Sequence, residues 1–219
     1  MNVLVEAAVD SFDDALAAVD GGADRLELCG NLTLGGITPE RELIAEVMAT
    51  VNIPVLAMIR PRGGSFVYSS REIDRMKRDI DIALKLGVAG VVLGALDAEH
   101  HVEMEQTRML AELAGAEQVT FHRAFDRTPD PIATADALME LGIGRVLTSG
   151  AAGTALEGAN TLAALVAHAG DRLVIVAGGG VRANTVREIV ERSAVTEVHA
   201  RCEGSAPRIA AIKDVLARM

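Results

Sequence analysis

Residues 21–28, Gly21-Gly22-Ala23-Asp24-Arg25-Leu26-Glu27-Leu28, decide the fold. Two glycines close a helical pattern, a short turn follows, and an apolar run begins. Glycine suits the end of a helix because it takes positive φ without steric cost. The same junction returns as LGVAGVVL (86–93), LGIGRVLT (141–148) and AGDRLVI (169–175). Asn52-Ile53-Pro54 serves the same purpose before Val55, since proline cannot continue a helix.

On either side of these junctions, apolar runs predict strands near 3–8, 25–29, 55–60, 89–94, 118–122, 145–149, 173–177 and 196–200. Helical periodicity fills the gaps: 13–18, 40–50, 70–86, 103–114, 131–141, 160–169, 184–192 and 207–218. Ser11, Thr38-Pro39, Ser69 and Asp130-Pro131 read as helix starts. Strict alternation with short connections predicts an α/β chain with a parallel sheet. Eight strand–helix units predict a closed (β/α)8 TIM barrel, with residues 1–219 forming one domain. The competing architecture is an open doubly wound sheet, but no dinucleotide glycine fingerprint follows the first strand.

Composition narrows the function classes. Half of the 219 residues are hydrophobic, which suits a sheet buried on both faces. The formal net charge is −10, with no Trp, one Tyr and four Phe. Such a chain lacks the basic and stacking surface that nucleic-acid binding needs. The two cysteines, Cys29 and Cys202, form no CxxC pair, so a reducing compartment is expected. The N-terminal MNVLVEAAVD has no basic region and carries Glu6 within its apolar run, unlike a signal peptide. No apolar run reaches the ~18 residues of a membrane helix. A cytoplasmic protein with no membrane partner is expected.

Polar residues then locate the site. In QVTFHRAFD (118–126), an apolar strand ends abruptly in His122, Arg123 and Asp126. Such groups are costly to bury unpaired, so that strand end should open into a polar cavity. Functional groups of a barrel gather at the carboxyl ends of its strands. Glu6, Glu27, Arg60, His122, Thr148 and His199 all occupy such positions and are expected to converge on the mouth. Glu6, Glu27, His122 and His199 are the acid/base candidates, because burial and neighbouring charge bring carboxylate and imidazole pKa values toward neutrality. Arg60 and Arg123, with Asp126, Thr148 and Ser149, are candidates for holding a small anionic ligand. Ala177-Gly178-Gly179-Gly180-Val181 precedes a helix at Asn184, and its Gly178 and Gly179 would let backbone N–H groups approach a phosphate. The bland alternatives are a Glu27–Arg60 ion pair filling the interior, and tight turns with no ligand. The glycine-rich stretch 61–69, PRGGSFVYS, reads as a lid or as a long surface turn. Sulfur suits Cu(I). Cys29, with Met58 or with Cys202 across the neighbouring first, second and eighth strands, could hold that ion at the rim. The alternative is two separate free thiols.

Several stretches carry a resemblance together. LELCGNLTLGGITP (26–39), MIRPRGGSFVYS (58–69), TFHRAFD (120–126), RVLTSG (145–150) and the 178–180 glycine turn followed by Asn184 resemble the CutC family, named for copper homeostasis. The resemblance covers essentially the whole chain. It implies a cytoplasmic TIM barrel, a homodimer or higher homo-oligomer, and copper tolerance or Cu(I) binding; it implies no particular reaction. Glu27 and Cys29 match the family's ELC motif, Arg60 its RPR segment, His122, Arg123 and Asp126 its FHRAFD motif, and His199 the histidine of the last strand. After His199 this chain has Ala200-Arg201-Cys202 where relatives carry a serine-containing stretch. Three functions follow as expectations: Cu(I) handling, acid/base catalysis on a small anionic metabolite such as a phosphorylated one, or a non-catalytic binding barrel.

Overall fold

The recurring junction is built as its glycines require. Gly22, Gly87, Gly142 and Gly170 take φ of 81°, 92°, 68° and 55°, and each precedes a strand. A computed structural model describes residues 3–219. Its strands are β1 (Leu4–Val9), β2 (Arg25–Leu28), β3 (Val55–Met58), β4 (Gly90–Leu93), β5 (Val119–Phe121), β6 (Arg145–Thr148), β7 (Val174–Gly178) and β8 (Glu197–Arg201). Each is followed by a helix: α1 (Phe12–Asp20), α2 (Arg41–Thr50), α3 (Ser70–Lys85), α4 (Met104–Ala114), α5 (Pro131–Glu140), α6 (Ala159–Ala169), α7 (Val186–Ser193) and α8 (Ala206–Leu216). All strand pairs are parallel, and β8 closes onto β1 to complete the (β/α)8 barrel.

Three of the four helix starts hold. Ser11 caps α1, Ser69 and Glu72 form a reciprocal capping box on α3, and Asp130 caps α5 with Pro131 in its first turn. The fourth does not. Helix α2 begins at Arg41 rather than at Thr38-Pro39. Thr38 is instead held to the exit of β3: its Oγ1 accepts from the Arg60 N–H at 2.9 Å, and its own N–H donates to the Arg60 carbonyl.

Alternation along each strand sorts the side chains. Leu26, Leu28, Val91, Leu93 and Phe121 face the helices in the main core. Cys29, Leu56, Met58 and Val92 form a separate apolar cluster inside the barrel. Each fully buried Leu or Phe of these layers contributes roughly 1.5–3 kcal/mol. Gly90 opens β4 where no side chain fits, since a Cβ there would lie 2.3 Å from the Gln118 carbonyl oxygen.

The N-terminal half of the interior is charged, contrary to the apolar strand interiors expected. Arg25 donates to Glu6 through Nε and to Glu197 through a terminal nitrogen, both at 2.6 Å. Arg145 reaches Thr120 Oγ1 at 3.2 Å. These strand-start residues face inward because the barrel register places Glu6 beside Arg25 and beside His199. Opposite charges then offset a desolvation cost that either would bear alone. Among the described residues no helix is long and apolar enough to cross a membrane.

Candidate functional site

A cavity of about 1170 Å³ opens at the carboxyl ends of the strands. Glu27, Arg60, His122 and His199 all line it, and β2, β3, β5 and β8 bring them there.

At its floor lies His199, which pairs with Glu6. Glu6 was expected at the mouth but is buried between His199 and Arg25 and does not itself line the cavity. Nδ1 of His199 lies 2.8 Å from Oε1 of Glu6. Glu6 is fully buried; burial would raise its carboxyl, but the His199 hydrogen bond and the Arg25 charge outweigh this and hold it at about 2. The ionised carboxylate accepts, so Nδ1 carries the proton and Nε2 is left for the cavity. Burial works against protonated His199, yet Glu27 and Glu6 together raise it. Glu27 is the second carboxylate, with Oε2 4.0 Å from His199 Nδ1. Burial pushes Glu27 upward. The Cys29 thiol donates to Glu27 Oε1 at 3.3 Å, and Oε2 has no partner. An oriented imidazole beside a carboxyl raised toward neutrality can move protons.

His122 has a different environment. Its Nδ1 accepts from the Ala124 N–H at 3.3 Å, so Nε2 carries the ring proton, and that atom is buried without a partner. Burial, reinforced by the Arg60 charge, holds His122 down at about 3. It is therefore a neutral donor at physiological pH. It shares the cavity with His199 but hydrogen-bonds to neither His199 nor Glu6.

Arg60 does not pair with Glu27. Its terminal nitrogens donate to the carbonyls of Gly35, Gly36 and Gly64, tying the loop after β2 to the loop after β3. Its Nε remains buried and unpartnered. The guanidinium carbon lies 4.7 Å from the Phe66 ring centre, and that ring lies 4.8 Å from the His122 ring. Phe66, on the 61–69 loop, thus neighbours both the Arg60 cation and the neutral His122 ring. Arg62 anchors the same loop by donating to Glu72 and to the Ser65 and Val67 carbonyls.

Asp126, Thr148 and Ser149 meet, but as a brace. The Asp126 carboxylate accepts from the Thr148 hydroxyl, from the Ser149 and Ala151 N–H groups and from Arg123 Nε. Arg123 also donates to Ser149 Oγ at 3.0 Å. Thr148 and Ser149 were expected at the mouth, yet neither lines the cavity; Leu147, one position earlier, does. Thr148 is turned away by strand alternation, and the Ser149 hydroxyl is taken up by Asp126 and the Ala152 carbonyl. Gly178 is likewise outside the cavity, because Leu147 packs where its Cβ would be, while Gly179 and Gly180 line it. Arg123 remains on the wall, presented by Asp126 toward Gly179.

The two thiols do not form one site. Cys29 and Cys202 flank β1, donating their N–H groups to Val9 and Ala8. Cys29 faces the barrel interior, whereas Cys202 packs in the layer between strands and helices. Strand alternation separates them, and both are buried and free. Burial and the adjacent Glu27 push the Cys29 thiol well above its ordinary value. Among the described residues, Glu6, Glu27 and His199 offer three metal-ligand atoms within 4.8 Å of one another. These donors are hard oxygens and an imidazole, and both Glu6 oxygens are already bonded. The set fits Cu(I) poorly. Arg25, which holds Glu6 from below, and Glu197, which accepts from the same Arg25, were missed in the sequence because charges at strand starts resemble surface residues.

The CutC family model matches residues 3–204. A CutC family protein of Xanthomonas campestris pv. campestris is 46% identical over 200 residues, covering 91% of this chain and 83% of the relative. A human protein named copper homeostasis protein cutC homolog is 44% identical over 210 residues, covering 96% and 76%. The crystal structure of a Streptococcus agalactiae protein named CutC superposes with a TM-score of 0.85 at 35% identity, covering 90% of this chain and 97% of that one.

Proposed function

This chain belongs to the CutC family, and from that premise we propose that its barrel mouth is the active site of an acid/base enzyme for a small anionic metabolite. The observation that carries this reading is the contact between His199 Nδ1 and Glu6 Oε1, with Glu27 4.0 Å away, at the floor of an open cavity. Glu6 orients the imidazole, and His199 Nε2 and Glu27 Oε2 are the groups that exchange protons with a bound molecule. The wall supports an anion. The chain carries net charge −10, yet this cavity has five arginines, at 60, 123, 127, 182 and 201, against Glu27, Asp126 and Glu203. A locally cationic cleft in an acidic protein concentrates anionic ligands. Arg123, braced by Asp126 beside the Gly179-Gly180 turn, is the residue assigned to the anionic group.

A second reading, capture of a copper ion, is favoured by the human relative's name. It is also favoured by the packing of Cys29 Sγ and Met58 Cε beneath Gly36, 3.0 and 3.5 Å from its Cβ position. It requires a fully buried thiol to lose its proton beside Glu27, which the raised thiol opposes. One pair of titrations separates the readings. Sugar phosphates are expected to raise the melting temperature of wild type but not of Arg123→Ala. Cu(I) competed by a chelator is expected to bind wild type and Cys29→Ala alike. Tight Cu(I) binding lost in Cys29→Ala, with no response to any sugar phosphate, would replace the enzymatic reading.

A further inference from the structure

Among the described residues, three polar atoms at the mouth are buried without a hydrogen-bond partner: Glu27 Oε2, Arg60 Nε and His122 Nε2. Each belongs to a residue that is more than nine-tenths buried and that lines the same cavity. Orphaned buried groups are rare in native proteins, and one such atom calls for an explanation. Three around one cavity define what a ligand supplies. Two are N–H donors, because the Ala124 N–H occupies His122 Nδ1 and a guanidinium has no acceptor. The third is a carboxylate oxygen. Both donor residues neighbour a single ring, Phe66: the His122 ring centre lies 4.8 Å and the Arg60 guanidinium carbon 4.7 Å from its centre.

We propose that His122 and Arg60 bind the carbonyl oxygen of the substrate and that Glu27 removes a proton from the adjacent carbon. The reaction is then an enolisation of a small anionic carbonyl compound. The inference rests on the acid/base reading above and names its substrate class. In the step, the C–H bond next to the carbonyl breaks and its proton goes to Glu27 Oε2. The freed electron pair forms the C=C bond, and the carbonyl π pair moves onto oxygen. There it accepts from His122 Nε2–H and Arg60 Nε–H. Once the proton on Glu27 has been replaced from solvent, its return to the same carbon gives exchange. Where that carbon carries a hydroxyl, delivery to the former carbonyl carbon, with the hydroxyl proton passing to the former carbonyl oxygen, gives isomerisation. No oxidant, reductant or co-reactant is required.

The chemistry matches each group. A neutral imidazole whose N–H faces a carbonyl polarises it without giving up its proton, and a low imidazole pKa keeps it neutral. Burial and Arg60 supply that condition for His122. A fixed guanidinium adds positive potential where charge develops, and Arg60 is fixed by three carbonyls. A buried carboxylate is a stronger base than a solvated one, and burial raises Glu27. The three atoms expose almost no surface. Phe66, half-buried on the glycine-containing 61–69 loop, therefore shifts when a ligand takes the two donors.

The test uses dihydroxyacetone phosphate as the carbonyl probe and phosphoglycolohydroxamate as a mimic of the enolised form. Exchange of the probe's carbon-bound protons in D2O is followed by 1H NMR, and hydroxamate binding by calorimetry. Wild type is expected to exchange the protons. Glu27→Gln and His122→Gln are each expected to slow exchange by about 100-fold or more while keeping the wild-type circular dichroism. The Glu27→Gln protein, purified identically, also controls for contaminating isomerase. In 15N-labelled wild type, the hydroxamate is expected to shift the His122 Nε2 resonance, a readout that does not depend on any variant. Hydroxamate binding without exchange, or exchange unchanged in both variants, overturns the enolisation and leaves the anionic-metabolite reading standing. Binding of neither the hydroxamate nor inorganic phosphate overturns both.

Discussion

Nδ1 of His199 meets Oε1 of Glu6 at 2.8 Å although 193 residues separate them. The contact exists because β8 closes the barrel against β1 in a register that sets these two residues side by side. Glu6 simultaneously accepts from Arg25. Replacing it by glutamine would leave a buried Arg25 with half its counter-charge. Glu6→Gln is expected to cost about 3–5 kcal/mol in urea denaturation at pH 7. A loss under about 1 kcal/mol would show that the pair is dispensable. The Glu6 contribution is present above its ordinary value of 4.5 and is lost as pH falls toward about 2.

The two mouth histidines should titrate in opposite senses. His199 is raised, so its contribution to stability is full below 6.5 and is lost as pH rises through its folded value. His122 is lowered to about 3, so its contribution is full above 6.5 and is lost as pH falls toward 3. In a 1H NMR titration of the ring protons, His199 is expected to have a midpoint above 6.5. His122 is expected to show no midpoint between pH 5 and 8. A His122 midpoint near 6.5 would remove it as a neutral donor.

Neither thiol should react in the folded protein. Cys29 and Cys202 are buried and free, and both thiols are raised by burial. A disulfide reagent at pH 8 is expected to label no thiols in native protein and two after denaturation. Rapid labelling of Cys29 without unfolding would make it available to a soft metal and would strengthen the copper reading.

Asp126 braces the loop after β6 by accepting from Arg123, Thr148, Ser149 and Ala151. Asp126→Ala leaves those donors unpaired and is expected to cost about 2–3 kcal/mol. It should also loosen Arg123, measurable as weaker phosphate binding and faster proteolysis within residues 148–153. Intact anion affinity in this variant would show that Arg123 needs no brace.

Gly94 stands where the His122 ring needs room. A Cβ there would lie 2.6 Å from both Cε1 and Nδ1 of His122. Gly94→Ala should displace the ring at a cost of about 1–3 kcal/mol. The His122 resonances are expected to move while those of His168, on α6, stay in place. An unmoved His122 would mean that β4 absorbs the strain instead.

The barrel was legible because its signals are local. Each glycine junction, apolar run and helix cap lies within a few residues of the element it specifies, and the strands expected at 25–29 and 145–149 run over Arg25–Leu28 and Arg145–Thr148. Glu27, Arg60, His122 and His199 could be placed at one mouth because carboxyl ends of barrel strands share a face. The fine sorting failed at Thr148, Ser149 and Gly178, where a shift of one position along a strand reverses the side chain's direction.

Periodicity and turn chemistry act at short range, so the order of strands and helices and the short list of groups able to do chemistry are written in the chain. Which of those groups meet depends on the closed barrel. Arg25 reaches Glu197 across 172 residues, and His122, two positions beyond the inward-facing Thr120, ends beside Phe66 rather than beside Glu6. The closing register of β8 on β1 and the loops folded over the mouth set those meetings, and neither leaves a mark within any one stretch of chain.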